Sequence, residues 1–220
     1  MLEMAKDPRI DGFTTNPTLM RKAGVANYEA FAGQVLSEIK DRPVSFEVFA
    51  DAFGEMGRQA KKIAAWGSNV FVKIPITNTL GEPTLELVRE LSVNSGVQLN
   101  VTALCTLEQV DQATQALRGG ARAIVSVFAG RIADTGRDPV AVMKAARALC
   151  DASGANVELL WASPREPLNI IQAEQAGANI IAVPPDMLKK MALFGKDLAE
   201  YSLETVRMFH SDAQAAGYEL

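Results

Sequence analysis

One repeating unit restricts the fold of this chain more than any other feature: a helical stretch, a closing glycine, then a short run rich in β-forming residues. Helical stretches close at Gly67, Gly96, Gly119-Gly120, Gly154 and Gly177, and β-rich runs follow at 69–76, 97–103, 123–128, 157–162 and 180–183. A glycine just past a helix supplies the left-handed backbone that other residues adopt at a cost, which returns the chain to run parallel to the preceding strand. Strands alternating with helices at intervals of roughly 23 to 34 residues imply βα units in a parallel sheet. Neither GxGxxG nor GxxxxGK[ST] follows any of the runs, so a (β/α) barrel is favoured over an open, nucleotide-binding sheet.

The earlier part of the chain fits the same scheme. Residues 1–9 read as the end of a helix stopped at Asp7-Pro8, and 10–17 as a strand entering a loop. Asn27 caps a helix to about Lys40 with Tyr28, Phe31, Val35 and Ile39 on one apolar face, and an apolar strand follows over 44–51 with one interior acid, Glu47. A helical pattern then occupies 54–66. With 220 residues and 48% hydrophobic content, one domain spanning 1–220 accommodates all of this, with a final helix from about residue 202 whose Leu203, Val206 and Phe209 share a face.

Within 69–76 a single lysine, Lys73, interrupts an otherwise apolar run. A cation in a buried strand loses hydration worth several kcal/mol unless it is paired or sheds its proton. Pro75 cannot donate to a ladder and places Lys73 near the strand's end, where barrels keep their chemistry. A desolvated amine of this kind has its pKa drawn toward neutrality and can attack a carbonyl to form a Schiff base. The structural alternative is a lysine that snorkels to solvent or pairs with a carboxylate.

Other polar residues gather at the same ends of the runs: Thr14, Thr15 and Asn16; Glu47 and Asp51; Asn100 and Thr102; Ser126 and Arg131; Ser163 and Arg165. Converging on one mouth they would offer an organic substrate an amine, carboxylates, hydroxyls and two guanidinium groups, the last suited to phosphate oxygens. Each also has a structural reading. Asn16 and Thr102 can bond backbone, Glu47 can pair with an arginine, and Arg131 or Arg165 can bridge helices.

Composition removes several classes. A net charge of -4 and a pI near 5.2, without a Lys/Arg cluster, argue against nucleic acid as a partner. No apolar run approaches the roughly 18 residues of a membrane span, and the first residues lack the pattern of a signal peptide, so a cytoplasmic protein without membrane attachment is expected. Cys105 and Cys150 are too few for a disulfide framework or a zinc site and read as buried thiols, and the one histidine, His210, falls in the C-terminal helical pattern.

Five motifs in order, Gly12-Phe13-Thr14-Thr15-Asn16-Pro17-Thr18-Leu19, Val72-Lys73-Ile74-Pro75, Asn100-Val101-Thr102-Ala103, Ser126-Val127-Phe128-Ala129-Gly130-Arg131-Ile132-Ala133-Asp134 and Ala162-Ser163-Pro164-Arg165, cover nearly the whole chain. With them the chain resembles the transaldolases, in the small branch that includes fructose-6-phosphate aldolase-like proteins. The resemblance implies an α/β fold, a (β/α)8 TIM barrel of the class I aldolase type, with no cofactor and no metal. It makes Lys73 the imine-forming residue, Glu47 and Thr102 the holders of a proton-shuttling water, and Asn16 the amide that binds donor hydroxyls beside Thr15 and Asn100. It makes Arg131, Ser163 and Arg165 the phosphate site, with Ser126 as a neighbour. Glu47 and Phe128 stand where the aldolase branch has an amide and a tyrosine, which favours transfer of a dihydroxyacetone unit between sugar phosphates in the pentose phosphate pathway over its release.

The chain departs from the family pattern in one respect. The family's first strand, with an acid/base aspartate, has no counterpart before what reads as the first helix, and Asp11 belongs to the following strand. About seven strands are expected instead of eight, with an unpaired edge beside the Thr14 strand and low or absent turnover by the chain as it stands. The competing readings are a fructose-6-phosphate aldolase and a catalytically impaired phosphosugar-binding or assembly protein. Small members of the family form rings of five subunits or paired rings, so a homo-oligomer, a pentamer or decamer, is implied.

Overall fold

The structure, a computed structural model, describes residues 1–219. The chain forms two compact units, the first spanning Met1–Val183 and the second beginning at Pro184.

The first unit is built on a curled, seven-stranded parallel sheet in sequential order: β1 (Phe13–Thr14), β2 (Val44–Glu47), β3 (Val70–Pro75), β4 (Leu99–Leu104), β5 (Ala123–Val127), β6 (Val157–Trp161) and β7 (Ile180–Ile181). Every neighbouring pair is parallel, as βα units require, and the sheet is an incomplete (β/α)8 barrel. Among the described residues β1 and β7 do not pair with each other, so both are edges. The connections carry α1 (Pro17–Lys22), α2 (Tyr28–Glu38), α3 (Phe53–Ala64), α4 (Leu85–Arg89), α5 (Leu107–Ala116), α6 (Ala129–Asp134), α7 (Pro139–Ala152) and α8 (Leu168–Gln175).

The strands are apolar on both faces because both are covered. Val72, Ile74, Leu99, Val101, Val125 and Leu159 point outward and pack with helix residues such as Val35, Met56, Ile63, Leu117 and Met143. The alternate residues Phe71, Ile124, Leu160 and Ala162 form a second, inner cluster with Phe128, Ile180 and Ala182 against it. Polar residues buried on this inner face therefore stand above an apolar floor.

Several boundaries differ from expectation for identifiable reasons. The strand expected over 44–51 ends at Glu47, because the N–H groups of Phe49 and Ala50 both donate to Gln59 Oε1 of α3 at 2.8 and 3.0 Å instead of to a ladder. Asp51 is drawn off to the β3–α4 loop, where its carboxylate accepts from the N–H and hydroxyl of Thr79 at 2.7 Å each. Gly96, Gly119, Gly154 and Gly177 have the expected positive φ, but Gly67 does not. Residues 4–6 form one 3-10 turn, and Asp7 before Pro8 is extended (φ -82, ψ 117). Cys150 is buried, which pushes its thiol up to about 11, whereas Cys105, also expected inside, is exposed where β4 gives way to α5. Just before it, β4 takes one residue more than β5 between Val101 and Leu104, and Ala103 adopts a left-handed φ of 66.

The second unit holds α9 (Pro185–Lys190), a 3-10 turn at Met191–Leu193 and α10 (Leu198–Ala216). α10 starts four residues ahead of the expected position because Asp197 caps it, accepting from Glu200 N–H at 2.9 Å, and Gly217 ends it with φ 67.

Candidate active site

Sheet register places the chemistry. Glu47 pairs with Lys73 across β2 and β3, and Lys73 with Asn100 across β3 and β4, so the three side chains share the inner face. Thr102 lies two residues past Asn100. Ser126 lies two past Ile124, the partner of Asn100, so both fall on the same face.

Lys73 is 8% exposed. Its Nζ stands 3.3 Å from Glu47 Oε2 and donates to the Thr15 carbonyl at 3.1 Å. Burial raises the pKa of the Glu47 carboxyl, and the Lys73 ammonium pulls it partly back. Thr102 Oγ1 is buried and has no hydrogen-bond partner among the described residues. Buried hydroxyls are normally bonded, so this one keeps its hydrogen-bonding capacity unspent. Below it, Ser126 Oγ donates to Asn100 Oδ1 at 2.7 Å and Asn100 Nδ2 to Ser45 Oγ at 3.0 Å, a buried polar bridge from β5 to β2 that fixes the Asn100 amide.

Two expected residues are engaged differently. Thr15 meets Lys73 through its carbonyl, while its hydroxyl turns to Ser45 O and Tyr28. Asn16 Oδ1 accepts from Leu19 N–H at 2.8 Å and caps α1, with Pro17 at the first helical position, so its acceptor oxygen is committed to backbone.

Arg131, Ser163 and Arg165 form a separate group at the ends of β5 and β6. The exposed Arg131 lies over the Phe128 ring, 5.6 Å from its centroid. Arg165 makes a forked pair with Asp134, Nε to Oδ1 at 2.8 Å and Nη2 to Oδ2, which holds the Asp134 carboxyl below the usual carboxylate range. Ser163 has φ 58, and a Cβ on Gly130 would fall 1.6 Å from its carbonyl oxygen. Only glycine allows the start of α6 to press against the end of β6 there. No hydrogen bond links this group directly to Lys73 or Glu47 among the described residues.

A buried amine between a carboxylate and a carbonyl, with a free hydroxyl alongside and arginines at the rim, suits covalent chemistry on an anionic carbonyl compound. The family model described as "Transaldolase/Fructose-6-phosphate aldolase" matches residues 1–220. The chain belongs to this transaldolase/fructose-6-phosphate aldolase family. It is 38% identical over 182 residues to a probable transaldolase of Dehalococcoides mccartyi, covering 83% of this chain and 80% of that one. It is 35% identical over 196 residues to one from Lactiplantibacillus plantarum, covering 88% and 85%. Among solved structures, a monomeric dihydrodipicolinate synthase variant superposes with a TM-score of 0.59 at 13% identity over 99% of this chain and 74% of that one, a likeness of fold alone.

For a transaldolase-family chain, sequence reasoning left three residues of this region without a role. Tyr28 reads as one more apolar residue of a helix face and Asp134 as the end of a motif, and Ser45 is not singled out within the run 44–51. Only Asp134 carried a signal, an acid three residues after Arg131 in a short helix. Among the described residues no helix is long and apolar enough to cross a membrane.

Proposed function

We propose that this member of the family is a transaldolase, moving a dihydroxyacetone unit from a ketose phosphate, fructose 6-phosphate or sedoheptulose 7-phosphate, to an aldose phosphate of the pentose phosphate pathway. The observation that carries the reading is Lys73 Nζ, buried on the inner face 3.3 Å from Glu47, with the unpartnered Thr102 hydroxyl on the next strand.

Glu47 takes a proton from the Lys73 ammonium, the freed Nζ adds to the donor ketone, and the carbinolamine receives that proton and loses its hydroxyl as water to give a cationic imine. Glu47, with its raised pKa, is suited to deliver that proton and to take one back. The imine draws electrons from the C3–C4 bond as the C4 hydroxyl gives its proton to Glu47 through the shuttling water, so an aldose phosphate departs and a three-carbon enamine stays on Lys73. Attack of the enamine on an acceptor aldehyde reverses these steps, and water then frees the product ketose. In this reading Thr102 holds the shuttling water, Asn100 and the remaining amide hydrogens of Asn16 bind hydroxyls, and Arg131, Ser163 and Arg165 hold the phosphate, while Ser126, bonded to Asn100, steadies that amide instead. Phe128 brings no hydroxyl to activate water on the enamine, which favours transfer.

Borohydride reduction with fructose 6-phosphate followed by peptide mass spectrometry tests this: a three-carbon adduct on Lys73 is expected. No adduct, or one on another lysine, refutes it. Free dihydroxyacetone produced without an acceptor at the rate of transfer would make the protein an aldolase. The seven-stranded sheet with two edges favours a second reading, a phosphosugar-binding protein with impaired turnover, since a barrel of this kind closes with eight strands. In that case fructose 6-phosphate binds but reduction traps nothing.

A further inference from the structure

The phenol of Tyr28, bonded to both residues that contact Lys73 Nζ, is left unused by the proposed chemistry. Its ring packs edge-on against Phe46, Phe49 and Trp66 at centroid distances of 5.9, 4.6 and 5.9 Å. Its oxygen is occupied elsewhere. Glu47 N–H donates to it at 2.9 Å, and Thr15 Oγ1 lies 3.1 Å away. Thr15 has one hydroxyl proton, which goes to the Ser45 carbonyl at 3.0 Å, so the phenol proton must go to Thr15. The bonds therefore run one way, from Glu47 N–H through Tyr28 and Thr15 to Ser45. Burial raises the phenol's pKa, which keeps the proton this chain needs.

The two residues tied together in this way are the two that hold the amine: Glu47 by its carboxylate at 3.3 Å and Thr15 by its carbonyl at 3.1 Å. Apart from Tyr28 and its chain neighbour Thr14, Thr15 is tied among the described residues only to Ser45 and Lys73, its own N–H donating to the Ser45 carbonyl at 2.9 Å. Thr15 follows a two-residue edge strand that pairs only with β2, and such edges open most easily. We infer that Tyr28 is a positioning residue whose hydroxyl sets the spacing between the Thr15 carbonyl and the Glu47 carboxylate around Lys73 Nζ, giving the amine one pose toward the incoming ketone. The inference rests on the Schiff-base reading above.

The test compares Tyr28→Phe, Thr15→Val, Thr15→Ser and the Tyr28→Phe/Thr15→Val double variant. The readout is the borohydride-trapping rate at increasing fructose 6-phosphate, with urea unfolding to establish that each is folded. Small misplacements of reacting groups are costly, so Tyr28→Phe should lower the maximal rate about tenfold with the half-saturating concentration changed less than about twofold. Thr15→Val should match it, the double variant should be no slower than either single one, and Thr15→Ser, which keeps the hydroxyl, should be faster than Thr15→Val. A Tyr28→Phe rate within about twofold of wild type overturns the inference, as do losses that multiply in the double variant or Thr15→Ser as slow as Thr15→Val. An untrapped wild type sinks the Schiff-base reading itself, whereas a trapped wild type with an unaffected Tyr28→Phe sinks this inference alone.

Discussion

The ion pair at the centre of the site predicts an unequal and strongly non-additive mutant cycle. At 3.3 Å and an effective dielectric of about 20, the attraction between Glu47 and Lys73 is roughly 5 kcal/mol. Their side chains are only 16% and 10% exposed, so solvent screens little of it, but the same burial charges both groups a desolvation cost. For Glu47 that cost outweighs the pull of the lysine, since its pKa remains raised with Lys73 in place. The pair is therefore worth far less than its attraction. Removing one partner is another matter, because the survivor keeps its burial and loses its counter-charge. Glu47→Gln strands an ammonium that still has the Thr15 carbonyl, a loss of about 2 to 4 kcal/mol. Lys73→Met strands a carboxyl that can escape by binding a proton, so its cost should be smaller, about 1 to 2 kcal/mol. The double variant leaves no buried charge at this spot and should be no worse than Glu47→Gln alone. Urea unfolding of the four proteins at neutral pH, with similar denaturant slopes, measures the coupling. Single losses that add to within about 0.5 kcal/mol would refute the account.

The raised Glu47 pKa fixes the sign of a pH effect. Between the ordinary glutamate value of about 4.3 and its folded value, the folded protein holds a proton that the unfolded chain has released, so stability should fall as pH rises through that window. Glu47→Gln should remove that part of the slope, and Lys73→Met should extend it to higher pH; identical slopes in all three would contradict the assignment. Gly130→Ala would place a methyl 1.6 Å from the Ser163 carbonyl oxygen, forcing β6 and α6 apart for about 1 to 3 kcal/mol or more. In a substrate titration it should also weaken binding of a phosphorylated donor more than it slows trapping at saturation, and unchanged binding would remove Ser163 and Arg165 from the phosphate site.

What the sequence made legible followed from strong local patterns. The βα alternation and the lysine at odds with its apolar strand are both written in consecutive residues, and the inner-face alignment of Glu47, Lys73 and Asn100 follows once the strands are in register. What stayed hidden depended on single distant partners. Gln59 ends β2 by taking two N–H groups from nine and ten residues away, and nothing in the apolar run 44–51 announces it. A two-residue β1 has no periodicity, so the sequence could not say that the Thr15 hydroxyl faces α2 while its carbonyl meets the amine. Tyr28 was hidden because an aromatic at helical spacing is fully accounted for by packing, and its oxygen is not.

The two unpaired edges have a mechanical consequence. The amine and its holders come from β1 to β3 and the guanidinium groups from the ends of β5 and β6, so with β1 and β7 unpaired among the described residues the sheet joins the two groups only on the β4 side. In that strand sits the extra residue around Ala103, with its left-handed φ of 66. The separation between the amine and the guanidinium groups is thus set by a strand that contributes no charge at all.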